Sequence, residues 1–532
     1  MKPESWSALA SIFAVYELEA NKLRENLFSW NKYPLAGGWV GVSYQQKFPY
    51  DSISQIMVHR SNGKDAEGAV LSGQRWPLAP GSTWQSEGAL RMNPWLAKHI
   101  VYRSIQWLRG ERVLSLYKQI HDLPHASAQQ VRALQWEKLR RVLIHAEQNI
   151  PYYRELFERL RMKPAKMDLP GDLDRLPLLT KEILRTQEEK LSDKTHRGPV
   201  SRETTSGTLG NPLRLAIDRH KSASIRAVMF RNYSWYGINI GDKQARFWGV
   251  PAEPRLHRRE QLKDVAANRI RLSAFEVSDD AFGRFSAQIR RFKPKYFYGY
   301  PSLLYRFAAW VKENQVRFED AIPQVIITSG ELLYDFQRET IRDAFHCRVV
   351  NEYGTTETGI IAFECPQGQL HINSDHLYVQ SIQPQVPSAA GSLVVTELNN
   401  YYNPLIRYQL GDAANLSAEP CRCGLGFPTL ESLAGREGNF IVTPKNRRVF
   451  SALLSYTFKE GIQQFQGIQF RRDELMVKIV KNEKWNDALS QQYQKQLHDV
   501  LGAEMKITFD FVARIDNDAS GKLRYFISQL PS

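Results

Sequence analysis

The sequence predicts an α/β protein with a large N-terminal unit, in which helices cover β-sheets, followed by a small α+β unit. Between about residues 176 and 430, short β-rich segments alternate with helical patterns, as is typical of a sheet covered by helices. The chain has 532 residues, more than one ordinary domain needs. After Gly435 the composition becomes basic and polar, and the remaining residues are enough for one small domain.

The individual elements follow from the spacing of apolar residues. Apolar side chains recur at helical spacing from Ala128 to Asn149, and Pro151 ends the pattern, so we expect an amphipathic helix there. Further helices are predicted at 302–314 and 335–345. Strands are predicted at 245–250, 296–300, 325–329 and 393–397.

Composition excludes several classes of protein. With 42% hydrophobic and 11% aromatic residues the chain can build a substantial core, and four cysteines are too few for a disulfide-rich scaffold. No apolar run reaches the roughly 20 residues that cross a bilayer, so we expect no membrane span and a soluble, cytoplasmic protein. The net charge of +15 fits an anionic partner. Because the basic residues are scattered and no nucleic-acid-binding motif occurs, we expect a nucleotide-sized ligand rather than a nucleic acid.

Three regions are predicted along the chain. Residues 1–125 form an N-terminal extension rich in tryptophan, to which the sequence assigns no role. Its tryptophans are typical of packing residues, with a partner-facing aromatic patch as the alternative. Residues 126–434 form the core domain and residues 435–532 the C-terminal domain. The sequence indicates no particular oligomeric state.

Two segments rich in glycine and hydroxyl residues carry the strongest signals. Residues 204–212 read Thr-Thr-Ser-Gly-Thr-Leu-Gly-Asn-Pro, a loop whose hydroxyls and N–H groups can surround a polyphosphate, although such loops are also common surface turns. The chain contains no Walker-type Gly-x-x-x-x-Gly-Lys-Ser/Thr motif. Residues 351–359 read Asn-Glu-Tyr-Gly-Thr-Thr-Glu-Thr-Gly. This segment supplies an aromatic face for a base, hydroxyls for phosphates and the Glu357 carboxylate for Mg²⁺.

Two further segments complete the pattern. Residues 402–412 end in Asp412, whose carboxylate can accept both hydroxyls of a ribose. Residues 520–524 place Lys522 on a glycine turn near the C-terminus. Alone, each segment also fits a tight turn, a capping aspartate or a surface lysine. Together and in this order, the four segments are specific.

In these segments the sequence resembles the adenylate-forming (AMP-binding) superfamily, and within it the branch of phenylacetate–CoA ligase and CapK. The resemblance covers roughly residues 130–532 and includes softer features at 150–154, 176–181, 298–302 and 329–331. It implies a two-step ligase with a large adenylate-forming domain and a small mobile domain. A carboxylate attacks the α-phosphate of ATP to give an acyl-adenylate and pyrophosphate. A nucleophile, usually the thiol of coenzyme A, then displaces AMP.

The resemblance also implies roles for the matching residues. Thr356 would contact the α-phosphate, and Glu357 would hold Mg²⁺. Lys522 would bridge the carboxylate and the α-phosphate, where a cation delivered only in the closed state stabilises the transition state more than the ground state. Asp412 and Arg436 would bind the ribose. The remaining nucleotide-binding residues would be Thr204, Thr205, Ser206, Gly207, Thr208 and Gly210 in the phosphate loop, and Ser329, Gly330, Glu331, Glu352, Tyr353, Gly354 and Thr355 around the adenine and phosphates.

The acid is expected in a pocket with aromatic walls. Such walls suit a flat apolar acid, and an aryl or arylacetyl acid is the default that the resemblance provides. The pocket residues would be Trp248, Gly249, Tyr298, Tyr300 and Pro301.

The chain departs from the family pattern at three places. Leu209 replaces a threonine, Gly438-Asn439 replace two aspartates of which the first is the hinge, and residues 443–449 lack a glycine. Adenylation is therefore better supported than transfer to coenzyme A. Two alternatives stay open: transfer to an amine, sugar or protein, and a non-catalytic nucleotide-binding protein. The presence of both Glu357 and Lys522 speaks against the second alternative.

Three of the four cysteines suggest a metal site. Cys365 precedes His371 by six positions, and Cys421 and Cys423 follow about fifty residues later. Three thiolates and one imidazole match a closed tetrahedral zinc site of the structural kind. The alternative is a set of reduced, buried thiols. Some members of the CapK-like branch carry cysteines and a histidine around zinc at similar positions, so the resemblance favours structural Zn²⁺.

Overall fold

The computed structural model describes residues 92–204, 213–249, 254–383, 391–417, 419–436, 440–451, 454, 457–458, 461–516 and 523–530. The α-helices are α1 (Pro94–Leu96), α2 (Arg103–Arg109), α3 (Val113–Ile120), α4 (Ala128–Asn149), α5 (Pro151–Leu160), α6 (Lys181–Thr186), α7 (Arg219–Ser234), α8 (Pro254–Ala266), α9 (Asp279–Phe292), α10 (Pro301–Glu313), α11 (Asp335–Phe345) and α12 (Asp487–Leu501). A π-helical segment, Ala97–Tyr102, joins α1 to α2. Short 3₁₀ helices span Leu123–His125, Pro164–Lys166, Gly171–Arg175 and Glu319–Ala321.

The strands are β1 (Val200–Thr204), β2 (Arg214–Asp218), β3 (Gln244–Trp248), β4 (Arg269–Ser273), β5 (Tyr296–Gly299), β6 (Val325–Ser329), β7 (Arg348–Thr355), β8 (Gly359–Glu364), β9 (Leu370–Ile372), β10 (Leu377–Ile382), β11 (Ser392–Glu397), β12 (Tyr408–Leu416), β13 (Thr429–Arg436), β14 (Phe440–Val442), β15 (Arg448–Phe450), β16 (Ile462–Arg471), β17 (Glu474–Lys481), β18 (Lys506–Phe511) and β19 (Phe526–Ser528). The predicted α/β class is confirmed.

An eleven-stranded sheet dominates the large unit, with the order β10-β11-β12-β13-β9-β8-β7-β6-β5-β3-β4. At one end of this order, the five neighbouring strands β4, β3, β5, β6 and β7 are parallel. From β7 across the sheet to β10 at the other end, each neighbouring pair is antiparallel. In the parallel half both faces are buried, because Phe297 and Ile326 pack towards α9, α10 and α11 while Tyr296 and Ile327 pack towards α7. The change from parallel to antiparallel pairing occurs at β7.

Helix α4 shows how local sequence determines an element. Ser127 caps its N-terminus by accepting a hydrogen bond from the Gln130 N–H at 3.3 Å, and the Gln130 side chain accepts one from the Ser127 N–H. Its apolar face, with Leu139 and Leu143 fully buried, packs on the antiparallel half of the sheet. The helix has the predicted bounds of Ala128 and Asn149.

The other predicted elements also match closely. Helix α11 and strand β6 have the predicted bounds, helix α10 begins one residue early at Pro301, and β11 begins one residue early at Ser392. Strand β3 ends at Trp248, so the prediction that it continues to residue 250 extends it too far. A local reason is visible at Gly249, whose carbonyl accepts a hydrogen bond from Arg271.

The segment before residue 126 packs against the core through α3. Val113 is fully buried against Ala223 and Ala227 of α7. Glu111 forms an ion pair with Arg226 of the same helix at 2.6 Å. The domain boundaries at 125 and 434 stay predictions.

The C-terminal unit contains a four-stranded sheet in the order β18-β17-β16-β19, with α12 packed on one face. It contacts the large unit through two segments. The Gln337 side chain donates a hydrogen bond to the Tyr525 hydroxyl at 2.7 Å, and the Leu523 N–H donates to Glu331 at 3.2 Å. The residue next to Lys522 therefore lies beside the Ser329–Glu331 segment. Among the described helices, none is both long and apolar enough to cross a membrane.

Candidate nucleotide and metal sites

The motif at 351–359 forms the β7–β8 hairpin. Thr355 pairs with Gly359, and the Thr355 hydroxyl accepts a hydrogen bond from the Thr358 N–H at 3.2 Å. Thr356 is exposed at the tip of the turn, with Glu357 half-buried beside it. The turn lies at the carboxyl end of the last parallel strand, where the sheet changes direction. This is where open α/β sheets usually bind ligands.

The predicted adenine and ribose residues meet on two neighbouring segments of this sheet. The Tyr353 hydroxyl donates a hydrogen bond to the Asp412 carboxylate at 2.6 Å. Asp412 in β12 is also the Cα partner of Arg436 in β13. The three residues predicted to surround the nucleoside are thus brought together from parts of the chain up to 83 positions apart.

A buried ion pair lies behind the Thr356–Thr358 turn. The Lys221 ammonium group contacts the Glu397 carboxylate at 2.5 Å, and both side chains are 2% exposed. The same ammonium group donates a hydrogen bond to the main-chain carbonyl of Glu357 at 2.7 Å. Asn400 donates to the second carboxylate oxygen of Glu397 at 2.8 Å. Because a buried pair requires such additional partners to offset desolvation, this arrangement specifies the position of the Glu357 backbone.

A second buried polar group supports the other side of the turn. His376 contacts the Thr358 carbonyl through Nε2 at 3.1 Å. Burial lowers the pKa of His376 to about 4, so the imidazole is neutral near pH 7 and Nε2 can donate this bond. Next to it, Arg231 is fully buried and forms an ion pair with Asp375 at 2.7 Å.

Aromatic side chains line the predicted acid pocket. Trp248 stacks on Tyr300 with 4.1 Å between ring centroids, and on Tyr298 with 5.4 Å. Gly330 has φ of +83°, and a Cβ there would lie 3.1 Å from the Tyr300 ring, so a side chain at this position would be strained and crowded. Pro301 begins α10 directly after Tyr300. The residues predicted to form the acid pocket therefore lie beside the Ser329–Glu331 segment.

Glu352 is a buried carboxyl group beside this pocket. The Tyr298 hydroxyl donates a hydrogen bond to it at 3.0 Å. Burial raises the pKa of Glu352 above its ordinary value of 4.5, while hydrogen bonds, that from Tyr298 first, oppose the shift. The sequence-predicted residues Glu352 and Tyr298 thus contact each other directly.

Glu331 connects three parts of the molecule. Its carboxylate accepts hydrogen bonds from the N–H and the hydroxyl of Ser302, both at 3.0 Å, and from the Leu523 N–H. The predicted adenine-framing residue therefore contacts the N-terminus of α10 and the C-terminal unit.

Some predicted residues fall outside the described part of the chain. These are the phosphate-loop residues from Thr205 to Gly210, and Lys522. Thr204 ends β1 and pairs with Arg214 of β2, so the predicted loop connects these two strands. Gly354 lies in β7 opposite Ile360.

The four predicted metal ligands converge in one cluster. Their ligand atoms all lie within 4.8 Å of one another. The Cys365 and Cys421 sulfurs are 3.8 Å apart, and the Cys423 sulfur is 3.2 Å from Nε2 of His371. The sheet brings them together, since Cys365 follows β8, His371 lies in β9, and His371 pairs with Thr429 of β13.

The geometry of the cluster fits a tetrahedral metal ion. Sulfurs bound to zinc at about 2.3 Å would be about 3.8 Å apart, which agrees with the Cys365–Cys421 separation and is too long for a disulfide. Nδ1 of His371 contacts the Phe427 carbonyl at 2.8 Å, which directs Nε2 at the sulfurs, as in many metal sites. Burial raises the pKa of the Cys423 thiol to about 12, so a nearby cation is what would favour the thiolate form.

The sequence reasoning missed the residues that support the turn. Lys221, Glu397 and Arg231 resemble ordinary surface charges in the sequence, and no local pattern distinguishes them. Arg246 was also missed, although a charged residue within the short apolar strand β3 was a visible signal.

Comparisons with known proteins agree with this architecture. Residues 436–529 match the family model described as the CapK C-terminal domain. Protein CapK of Staphylococcus aureus is 21% identical over 406 residues, covering 75% of this chain and 89% of the relative. Phenylacetate-coenzyme A ligase of Thermus thermophilus is 23% identical over 442 residues, covering 76% of this chain and 97% of the relative.

A solved structure shows the same fold. The crystal structure of 2-hydroxyisobutyryl-CoA ligase in the postadenylation state, in complex with R3-HIB-AMP, gives a TM-score of 0.63 at 18% identity, covering 77% of this chain and 91% of that chain. The chain therefore has the fold of the adenylate-forming ligases. The resemblance of the sequence to phenylacetate–CoA ligase and CapK is confirmed.

The raised pKa of Glu352 predicts a pH-dependent contribution to stability. Protonation of Glu352 is easier in the folded than in the unfolded protein, so its contribution is fully present below pH 4.5 and is lost as the pH rises through the folded-state pKa. Relative to Glu352→Gln, the wild type should become progressively less stable above pH 4.5, as measured by unfolding midpoints from pH 4.5 to 8. The exposed Glu189→Gln should follow the wild-type curve. A pH-independent difference between wild type and Glu352→Gln would contradict the assignment.

Proposed function

We propose that this protein is an ATP-dependent, AMP-forming ligase that activates a carboxylic acid as an acyl-adenylate. The observation that carries the proposal is the arrangement of Tyr353 and Asp412 beside the Thr356–Glu357 turn, in the fold of the adenylate-forming ligases. The stacked rings of Trp248 and Tyr300 would form part of the acid pocket. The similarity to phenylacetate-coenzyme A ligase, which extends over 97% of that relative, supports the same reaction.

The reaction follows from the positions of these groups. Tyr353 would offer its ring to the adenine, and Asp412 would accept the ribose hydroxyls. An oxygen of the acid attacks the α-phosphorus, the bond to the pyrophosphate oxygen breaks, and the acyl-adenylate remains. Thr356 would contact the α-phosphate, and the Glu357 carboxylate would hold Mg²⁺, which offsets the negative charge of the phosphates when bound.

Lys522 would supply positive charge at the reacting atoms. The contact between Leu523 and Glu331 supports this role, because it holds the neighbouring residue against the nucleotide side of the large unit. Charge that develops at phosphorus and at the attacking carboxylate is stabilised most by a cation already in position.

Lys522→Ala should lower the rate of pyrophosphate release with an accepted acid by about 100-fold or more, since the cation acts chiefly in the transition state. A coupled assay of pyrophosphate over a panel of carboxylic acids measures this rate. Lys484→Ala, at an exposed position of the same unit, is the matched control and should keep the wild-type rate. Equal rates in the wild type and Lys522→Ala would reject the proposed role.

Coenzyme A is the proposed acyl acceptor, and its thiol would attack the acyl carbonyl and release AMP. The second candidate is an amine, sugar or protein acceptor, favoured by Gly438-Asn439 at the expected hinge and by the match of residues 436–529 to the CapK C-terminal domain.

Incubating the enzyme with an accepted acid, ATP and either coenzyme A or a set of amines should yield an acyl-CoA as the main product by mass spectrometry. Omission of the acceptor is the control and should leave AMP release slow. An acyl-amide with no acyl-CoA would establish the second candidate instead.

We further propose that Cys365, His371, Cys421 and Cys423 hold a structural Zn²⁺. Gly359 begins β8 and Cys365 directly follows its last residue, so this strand separates the cluster from the Thr356–Thr358 turn by roughly 20 Å. The ion would therefore stabilise the fold rather than take part in catalysis. Four ligands leave no open coordination position. Thiolate ligands fit a reducing compartment such as the cytoplasm.

Purified protein should contain about one zinc per chain by elemental analysis. Cys423→Ser should lose most of this zinc and melt at a lower temperature, because a structural metal contributes to folding stability. Cys347→Ser is the matched control, since this cysteine lies outside the cluster, and it should retain the metal. Zinc-free wild-type protein, prepared without chelator, would reject the site.

A further inference from the structure

Arg246 of β3 is a half-buried cation among aromatic side chains. Its guanidinium lies over the Trp248 ring at 4.8 Å and over the Tyr298 ring at 5.2 Å, both measured to the ring centroids. Its Nε is buried without a hydrogen-bond partner. Within the described ranges, no carboxylate forms an ion pair with Arg246. A buried polar atom without a hydrogen bond is costly, so the position of Nε disfavours the folded state unless a ligand supplies an acceptor.

Neighbouring cations on the same face of the sheet are neutralised. Arg271, the Cα partner of Arg246 in β4, contacts Asp264 and Glu260, each at 2.8 Å. Arg269 contacts Asp264 at 2.5 Å. Among the residues that the structure describes, Asp264 and Glu260 are thereby in contact with Arg269 and Arg271, and neither forms an ion pair with Arg246.

Glu352 is the other acidic group near the pocket. It accepts its hydrogen bond from the Tyr298 hydroxyl, and it contributes a favourable Coulomb interaction to Arg246 without direct contact. This part of the structure therefore combines two aromatic rings with a guanidinium that no described carboxylate contacts directly. Such a combination matches a ligand that is flat and also carries negative charge.

We propose that Arg246 recognises a second anionic group on the acid substrate, so that the preferred acid is a dicarboxylate or similar dianion with a flat frame. This inference rests on the proposed function, because it assumes that the pocket of Trp248, Tyr298 and Tyr300 receives the acid. One carboxylate of the substrate would react with ATP, and the second group would accept charge-assisted hydrogen bonds from the guanidinium. The simple aryl acid that the resemblance suggests would then describe only the flat frame of the substrate and not its charge.

The test compares acids that differ only in the second charge: phenylacetate with 4-(carboxymethyl)benzoate, and hexanoate with adipate. In the wild type, kcat/KM for pyrophosphate release should be about 10- to 100-fold higher for the dianion than for the monoanion, in whichever pair the enzyme uses better. This is the range expected for a charge-assisted contact in a binding site. Arg246→Met should abolish this preference while the activity with the monoanion changes less than about threefold. Arg246→Lys, which keeps the charge, should retain part of the preference.

Two results would overturn the inference: a wild-type preference for the monoanion in both pairs, or an equal loss of activity with both acids in Arg246→Met. Glu253 lies in the segment outside the described residues, and Glu253→Gln tests whether it pairs with Arg246. An unchanged preference in Glu253→Gln supports the proposal. If Glu253→Gln raises the preference for the dianion by more than about 10-fold, Glu253 is the partner of Arg246 and the proposal is rejected.

Acid binding without ATP separates this inference from the proposed function. Quenching of tryptophan fluorescence, to which Trp248 contributes, reports binding of each acid. If Arg246→Met loses binding of the dianion but keeps binding of the monoanion, the inference is supported even if no pyrophosphate is released. Equal binding of the dianion by the wild type and both Arg246 variants rejects it. Melting curves of all variants verify that they are folded, with Arg246→Gln as a further variant if Arg246→Met does not fold.

Discussion

The ion pair between Lys221 and Glu397 determines the geometry of the candidate site. Lys221 belongs to the first turn of α7, Glu397 ends β11, and the same ammonium group contacts the carbonyl of Glu357. One buried contact therefore joins the covering helix, the antiparallel part of the sheet and the turn that carries the predicted Mg²⁺ ligand. Since both charges are withdrawn from water, displacing either would leave an uncompensated charge, which disfavours alternative positions of the turn.

Strand β8 connects this turn to the Cys/His cluster. At one end β8 pairs with β7 beside the Thr356–Thr358 turn, and at the other end it leads to Cys365. The cluster joins β8, β9 and the segment before β13, and β13 carries Arg436. A metal ion there would fix the relative positions of strands that carry residues predicted to bind the nucleoside, without itself contacting the nucleotide.

Sequence alone predicted the fold class, the bounds of several elements and the convergence of the metal ligands. These succeed because helix periodicity, proline and glycine positions and ligand chemistry are local or compositional signals. The supporting charges were not predictable, because Lys221 and Arg231 become exceptional only through burial by distant segments. The direct contact of Tyr353 with Asp412 depends on the pairing order of the sheet, which a single sequence does not encode locally. Arg246 is an intermediate case. Its strand was predicted, but the finding that no described carboxylate pairs with it required the positions of Asp264 and Glu260.

The proposed function requires that the site form an acyl-adenylate. The direct test uses the acid that supports the fastest pyrophosphate release in a panel. The protein is mixed with this acid, ATP and Mg²⁺ without an acceptor, and the quenched mixture is analysed by mass spectrometry. We expect an adduct with the mass of the acid joined to AMP, in an amount comparable to that of the enzyme. The adduct should be absent when Lys522→Ala replaces the wild type. Formation of ADP and phosphate, or of no adduct with any acid, would contradict the proposed function.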